Sequence, residues 1–144
     1  MAYWLIKSEP SVYPWTQLQK EQQTVWSGVR NFEARNNLRA MKVGDSCLFY
    51  HSNEGKEIVG VAKVVRAAYP DPTGEEGEDW SVVDVAPAYP LVKPVGLATL
   101  KAGKTTAGMQ LVTRSRLSVT RVTAPEWKAI HKLGATELPT AKKA

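Results

Sequence analysis

Hydrophobic and polar positions alternate in separate blocks along the chain, and each block predicts an element. Tyr3-Trp4-Leu5-Ile6-Lys7 is an aromatic and β-branched run that stops at Ser8-Glu9-Pro10, the signature of a first strand. Pro10 pushes Glu9 into extended backbone and ends the ladder. Residues 11–18 read as a short helix with Pro14 in its first turn, because Trp15 and Leu18 fall on one face. Residues 19–25 are polar and irregular. Ala34, Leu38 and Met41 have helical spacing, which predicts a helix from Phe32 to Met41 with Asn31 as its N-cap. Val43-Gly44-Asp45 is a turn, with Gly44 free to take a positive φ.

The second half reads mostly as strand. SCLFYH (46–51) and EIVGVAKVVRA (57–67) flank a loop with turn chemistry, and Gly60 marks a bulge or bend in the second of them. Alternation puts Val61 and Lys63 on one face and Ala62 and Val64 on the other. Tyr69–Asp79 is a Pro/Gly-rich acidic loop, WSVVDV (80–85) a strand, and the proline-bearing stretch 86–94 an extended edge. Residues 97–102 form a short helix ended by Gly103. Residues 108–112 are ambiguous between helix and strand, and RLSVTRV (116–122) is a last strand. Thr123-Ala124-Pro125-Glu126 is a capping box that starts a closing helix through Trp127, Ile130 and Leu133. His131 is expected at its surface. With no repeat and no regular β-α alternation, the expected class is α+β: a partly open, antiparallel or mixed β-barrel of five to six strands with peripheral short helices.

Composition adds limits. A chain of 144 residues is one domain, long enough to bury a core without staples. The single Cys47 excludes an internal disulfide and a multi-cysteine metal site, and its apolar surroundings read as a buried strand thiol. No signal peptide and no membrane-spanning run is evident. The net charge of +5 is unevenly spread: +3 in residues 1–66, −6 in residues 67–90 and +8 in residues 91–144. A polyanion suits the two ends and is repelled by the middle, although a solvated surface with one acidic loop gives the same totals.

Most reaction chemistry finds no motif here. There is no GxxxxGK[ST] loop, no GxGxxG after a strand and no GxSxG elbow. His51 and His131 are the only histidines, and neither has a ligand partner at metal spacing. No metal and no cofactor is expected. What the chain does hold is a set of flat rings and directional polar groups. In VWSGVRNFEARNNLRAMKVGD (25–45), Trp26 offers a stacking face and Gly28 lets backbone approach closely. Arg30, Asn31 and Arg35 supply donors. Lys7, Ser8 and Glu9 end the first strand, Tyr50, His51 and Ser52 end the second, and Arg114, Arg116 and Ser118 lead into the last. If strand ends meet at one rim, these groups form a pocket for a base, stacked on an aromatic and hydrogen-bonded along its edge, with cations at the mouth for phosphates. Core packing for Trp26 and a solvated helix face for Arg35 and Arg39 are the structural alternatives.

The segments YWLIKSEP, WSGVRNFEARNNLRAMKVGD, FYHS, IVGVAKVVRAAYPDP and RLSVTRV closely resemble the EVE domain family, over residues 3 to about 131. The resemblance implies a PUA-like barrel related to the YTH domains that bind methylated adenine in RNA. It also implies a reader of modified bases, chiefly modified cytosines in DNA, that accepts a flipped base into a pocket. Carried across, Trp26 matches a pocket wall, and Val29, Arg30 and Asn31 its floor and edge. Lys7, Ser8 and Glu9 match the neighbouring segment, and Tyr50, His51 and Ser52 the opposite rim. Arg116, Leu117 and Ser118 match the RLSV motif near the mouth. Two departures bear on base preference rather than fold: Ser27 stands for the family's acid in WDGVRN, and Glu33 for its glutamine in NYQARN. The region from Pro72 to Trp80 is also shorter and more acidic than in many members.

The expectation is a non-catalytic reader of a modified base in DNA or RNA. It is expected as a monomer with no membrane partner, cytoplasmic, or nuclear if eukaryotic. Its domain spans residues 1–134, followed by a C-terminal tail over 135–144 whose ELPTAKKA end is expected to be frayed. An RNA-modifying or nucleotide-processing enzyme on the same barrel, with Glu9 or Lys7 moving a proton, is the rival. A small-molecule sensor is the third reading.

Overall fold

A computed structural model describes residues 2–138; the end of the expected tail, 139–144, lies outside the described residues. Six strands, β1 (Tyr3–Ser8), β2 (Thr24–Val25), β3 (Ser46–His51), β4 (Glu57–Pro70), β5 (Ser81–Gly96) and β6 (Val119–Val122), form one sheet in the order β2-β5-β4-β3-β1-β6. The sheet does not close, and β2 and β6 are its edges. The β1–β3 pair is parallel and the others antiparallel, so pairing is mixed. Five short helices accompany it: α1 (Trp15–Glu21), α2 (Phe32–Ala40), α3 (Leu97–Ala102), α4 (Gln110–Thr113) and α5 (Ala124–Leu133).

The two-residue period of the strands builds two cores. Trp4 and Ile6 of β1, Cys47 and Phe49 of β3, and Ala62 and Val64 of β4 pack on one face with Trp15 and Leu18 of α1 and Ala34 and Leu38 of α2. The intervening Leu5, Leu48, Tyr50, Ile58 and Val61 pack on the other face with Leu100 of α3, Leu111 of α4, and Trp127 and Ile130 of α5. Lys63 follows Val61 outward into solvent.

Several elements depart from the pattern-based expectation, each for a physical reason. The first helix begins at Trp15, after Pro14, and runs on to Glu21 through residues that read as irregular. Thr24-Val25 becomes an edge strand because Val85 and Asp84 of β5 supply its ladder. The expected strand at 80–85 and the proline-rich stretch after it are one strand, β5. β2 pairs only with residues 84–85 of β5, so Pro87, Pro90 and Pro94 lie beyond it, and Pro87 and Pro90 face Ala62 and Gly60 of β4 beside register shifts, the irregular ladder positions that tolerate proline. Register shifts against β4 absorb the bends, including one between Ile58 and Gly60. The last strand is confined to residues 119–122.

His131 is not a surface residue: only 1% of it is exposed. It stands four residues after Trp127 and so shares its inward face. Its Nδ1 lies 2.8 Å from the Trp127 carbonyl and its Nε2 2.7 Å from the Tyr89 hydroxyl. A carbonyl only accepts, so Nδ1 carries the proton and Nε2 accepts from Tyr89. The cap of α5 is as the sequence reads: Thr123 and Glu126 bond each other's backbone N–H.

Candidate functional site

The carboxyl end of β1, the segment from Val12 to Tyr13, β2 and the loop 26–30 enclose an open pocket of about 650 Å³. Trp26 follows β2 directly, and its N–H donates to the Val83 carbonyl at 2.8 Å, which fixes the loop where the edge strand leaves the sheet. The half-buried indole meets Tyr13 and Phe49 edge-on, with centroids 6.0 and 5.7 Å away. Val29 is buried beneath it in the α1/α2-side core.

The loop is pinned from the acidic segment. Gly28, at φ +81°, donates its N–H to Asp71 Oδ2 at 3.1 Å, a conformation that suits glycine. Arg30 reaches the same oxygen at 3.0 Å and Thr73 Oγ1 at 3.2 Å. The Asp71 side chain has no exposed surface. Burial raises its carboxyl pKa, but hydrogen bonds from the Thr73 hydroxyl and N–H, Arg30 and the Gly28 N–H outweigh that and bring it down to about 2. Asp71 is therefore a fixed anion under the loop.

The other wall comes from β1. Lys7 is half-buried; its Nζ donates to the Ser115 carbonyl at 2.9 Å, and burial lowers its pKa. Ser8 donates to the Tyr13 carbonyl at 2.6 Å. Glu9 accepts from Asn53 at 2.6 Å, and its carbonyl receives the Val12 and Tyr13 N–H groups. Tyr13 donates to Glu21 at 2.6 Å, and burial followed by that bond pushes its pKa up to about 12.

Lys7, Ser8, Glu9, Trp26, Gly28, Val29, Arg30 and Ser118 thus gather around one cavity. Other residues singled out from the sequence stand elsewhere. Asn31 turns its side chain to cap α2, accepting the Ala34 N–H at 2.9 Å. It borders a second hollow of about 280 Å³ with Arg114, Arg116 and Leu117. Tyr50 points into the core on the opposite face, since strand neighbours alternate. His51 accepts the Trp15 N–H through Nε2 at 3.1 Å, holding the start of α1; burial lowers its pKa, partly offset by Glu57. Ser52 donates its N–H to the Ser8 carbonyl. Arg35 lies against Phe32 and Trp80 and bonds the Asp79 carbonyl at 3.2 Å. Arg114 forms a paired contact with the Glu33 carboxylate, which gives the departure at Glu33 a local partner.

Sequence reasoning missed Tyr13, Phe49, Thr24 and Asp71. The first three carried no signal, since Tyr13 and Phe49 read as ordinary helix and strand chemistry and Thr24 as part of an irregular polar stretch. Asp71 was hidden in a loop whose acids all looked solvated. Among the described residues, no group of three or more His, Cys, Asp or Glu is placed to hold a metal, and no helix is long and apolar enough to cross a membrane.

The EVE domain family model matches residues 2–133. Thymocyte nuclear protein 1 of Mus musculus is 39% identical, the match covering 94% of this chain and 74% of that one. A crystallised protein of Agrobacterium tumefaciens is 42% identical at a TM-score of 0.93, covering 96% and 97% of the two chains. The human THYN1 protein in complex with 5-methylcytosine-containing DNA is 35% identical at a TM-score of 0.83, covering 96% and 100%. A YTH domain of Zygosaccharomyces rouxii, 19% identical at a TM-score of 0.60, shares the fold.

Proposed function

This chain belongs to the EVE domain family, and on that premise we propose that it is a non-catalytic reader that takes one modified nucleobase of a nucleic-acid strand into the Trp26 pocket. The observation that carries the reading is the human relative bound to 5-methylcytosine-containing DNA, 35% identical to this chain over nearly all of both. The pocket supports it. A flat ring entering the cavity meets the Trp26 face, and stacking of this kind contributes about 1–3 kcal/mol per base. Arg30 stands beside it with guanidinium hydrogens beyond those that Val29, Asp71 and Thr73 accept, and Asp71 keeps the loop in place before any ligand arrives. Binding to a preformed donor set avoids the cost of ordering it. Extrusion of a paired base costs a few kcal/mol, an amount that stacking and edge bonds together can offset.

Catalysis on this pocket would need a proton carrier. The two candidates are held in other bonds, Lys7 on the Ser115 carbonyl and Glu9 on Asn53, positions that suit anchoring. We assign the reading unit to residues 1–134, acting as a monomer, with 135–144 as a tail.

The test is a binding panel of DNA and RNA oligonucleotides carrying modified cytosines or adenines. The parent protein is expected to prefer at least one modified strand over its unmodified counterpart. Trp26→Ala is expected to lose roughly 5- to 150-fold in affinity for it, the equivalent of one lost stack. Equal affinity of parent and variant sinks the pocket. Mass analysis showing any altered oligonucleotide sinks the reader assignment instead.

A further inference from the structure

Beyond the pocket, the start of α2 carries an aromatic surface that neither the core nor the pocket uses. Phe32 is 66% exposed, although it stands at the first position of a helix whose other large apolar residue, Leu38, is fully buried. Its ring stacks on Trp80 with centroids 5.2 Å apart and planes inclined by 17°. The Arg35 guanidinium lies 5.0 Å from the Phe32 ring and 6.0 Å from the Trp80 ring. These three distances describe a near-equilateral triangle, so the cation rests against both rings and leaves the outer part of Phe32 open. Arg30 closes the arrangement from the pocket side, 5.5 Å from the Trp80 ring. The same Arg30 lines the pocket and is tied to Asp71. The exposed stack and the pocket therefore share one rigid mount, with Phe32 only six residues beyond Trp26.

Phe32 keeps an exposed ring on a half-buried Trp80 between two guanidiniums, an arrangement that leaves apolar area in water while fixing side chains whose ordering has an entropic cost. It does offer a base an open π-face, on a mount whose two cations are themselves held by acids, Arg30 by Asp71 and Arg35 by Asp79. We infer that Phe32, backed by Trp80, is a second binding surface that stacks the base adjoining the one taken into the pocket. A base that leaves its stack exposes its neighbour's face to water, and an aromatic wedge at that place replaces the lost contact. The inference rests on the reading of the pocket as a base site, and it adds a requirement for a polymer: a free nucleoside fills the pocket and leaves Phe32 idle.

The experiment uses the full chain, a short DNA strand carrying 5-methylcytosine, and the same strand with abasic sites flanking the modified base; RNA and other modifications from the panel replace it if the parent prefers them. The parent is expected to bind the intact strand about 5- to 150-fold more tightly than the abasic-flanked one. Phe32→Ala is expected to lose that advantage, binding both strands alike, and Phe32→Leu, which keeps apolar bulk without a π-face, is expected to behave as Phe32→Ala. Phe32→Trp is expected to restore the preference. Since Phe32 is exposed, thermal unfolding of these variants is expected to match the parent. Parental affinity in Phe32→Ala, or a flank penalty that persists in it, overturns the platform while leaving the pocket intact. A parent that binds no modified strand, or Trp26→Ala binding as the parent does, overturns the pocket reading instead.

Discussion

Asp71 joins two segments that are distant in sequence: its carboxylate takes the Gly28 N–H and the Arg30 guanidinium, while its own loop wraps around it through Thr73. Its folded-state pKa of about 2 lies below the ordinary 3.8. The unfolded chain therefore takes the proton first as pH falls. The stabilisation, about 2 kcal/mol, is complete above about pH 5 and is lost as the pH falls toward 2. Asp71→Asn keeps the shape and removes the charge. It is expected to lower the unfolding free energy by about 1–3 kcal/mol in urea at neutral pH. It is also expected to weaken binding of the modified strand, because Gly28 and Arg30 lose their common anchor. A variant with the parent's urea midpoint and the parent's affinity refutes the anchoring role. Asn31 illustrates a different point at the same scale. One residue type suits both a base edge and a helix cap, and here its carbonyl is committed to Ala34.

Elements are placed by contacts that a linear reading registers only as anomalies. Gly60 reads as a bulge, and a register shift does occur beside it. The closer constraint is Trp15: a Cβ on Gly60 would stand 2.5 Å from the Trp15 ring. The bare backbone of β4 is thus the floor on which α1 sits, and α1 carries the pocket wall at Tyr13 with it. Gly60→Ala is expected to destabilise the protein by about 1–3 kcal/mol, as overpacking does, with a matching drop in the thermal midpoint. An unchanged midpoint would show that Trp15 moves aside freely. The proline-rich half of β5 follows the same logic, since its prolines fall where β2 has ended, with Pro87 and Pro90 beside register shifts in the pairing with β4.

For the whole molecule, two acids of the negative middle segment are drawn into ion pairs. The acidic segment turns toward α2 and its approach: Asp71 pairs with Arg30, and Asp79 with Arg35 and Arg39. Arg39 also reaches Ser81 at 2.8 Å, so it is engaged rather than merely solvated. Histidines add a pH dependence at the same scale. Burial lowers the pKa of His131 and of His51, with the Trp127 carbonyl opposing it in the first and Glu57 in the second. The unfolded chain binds these protons first, below its own pKa of about 6.5, so stability falls as pH drops below about 7. His131→Gln is expected to flatten that slope in denaturant titrations, leaving the part that belongs to His51. A slope identical to the parent's would place the titration elsewhere.

Local pattern was enough for the parts governed by local physics. Period-two alternation marked β1, β3 and β4 and sorted Val61 from Ala62 and Val64. The capping box started α5, and Gly44 took its positive φ of 95°. The specific motifs from Lys7 to Glu9 and from Trp26 to Asn31 identified the family. Tertiary structure alone decided which residues share a cavity, because that depends on the pairing partner of each strand and the face of the sheet each side chain takes. Phe49 and Tyr50 are adjacent in sequence and sit in opposite cores. Asp71, 43 residues after Gly28, holds its N–H. Such long-range hydrogen bonds leave no periodicity in the chain that makes them, since they form only after the sheet has brought the two loops together.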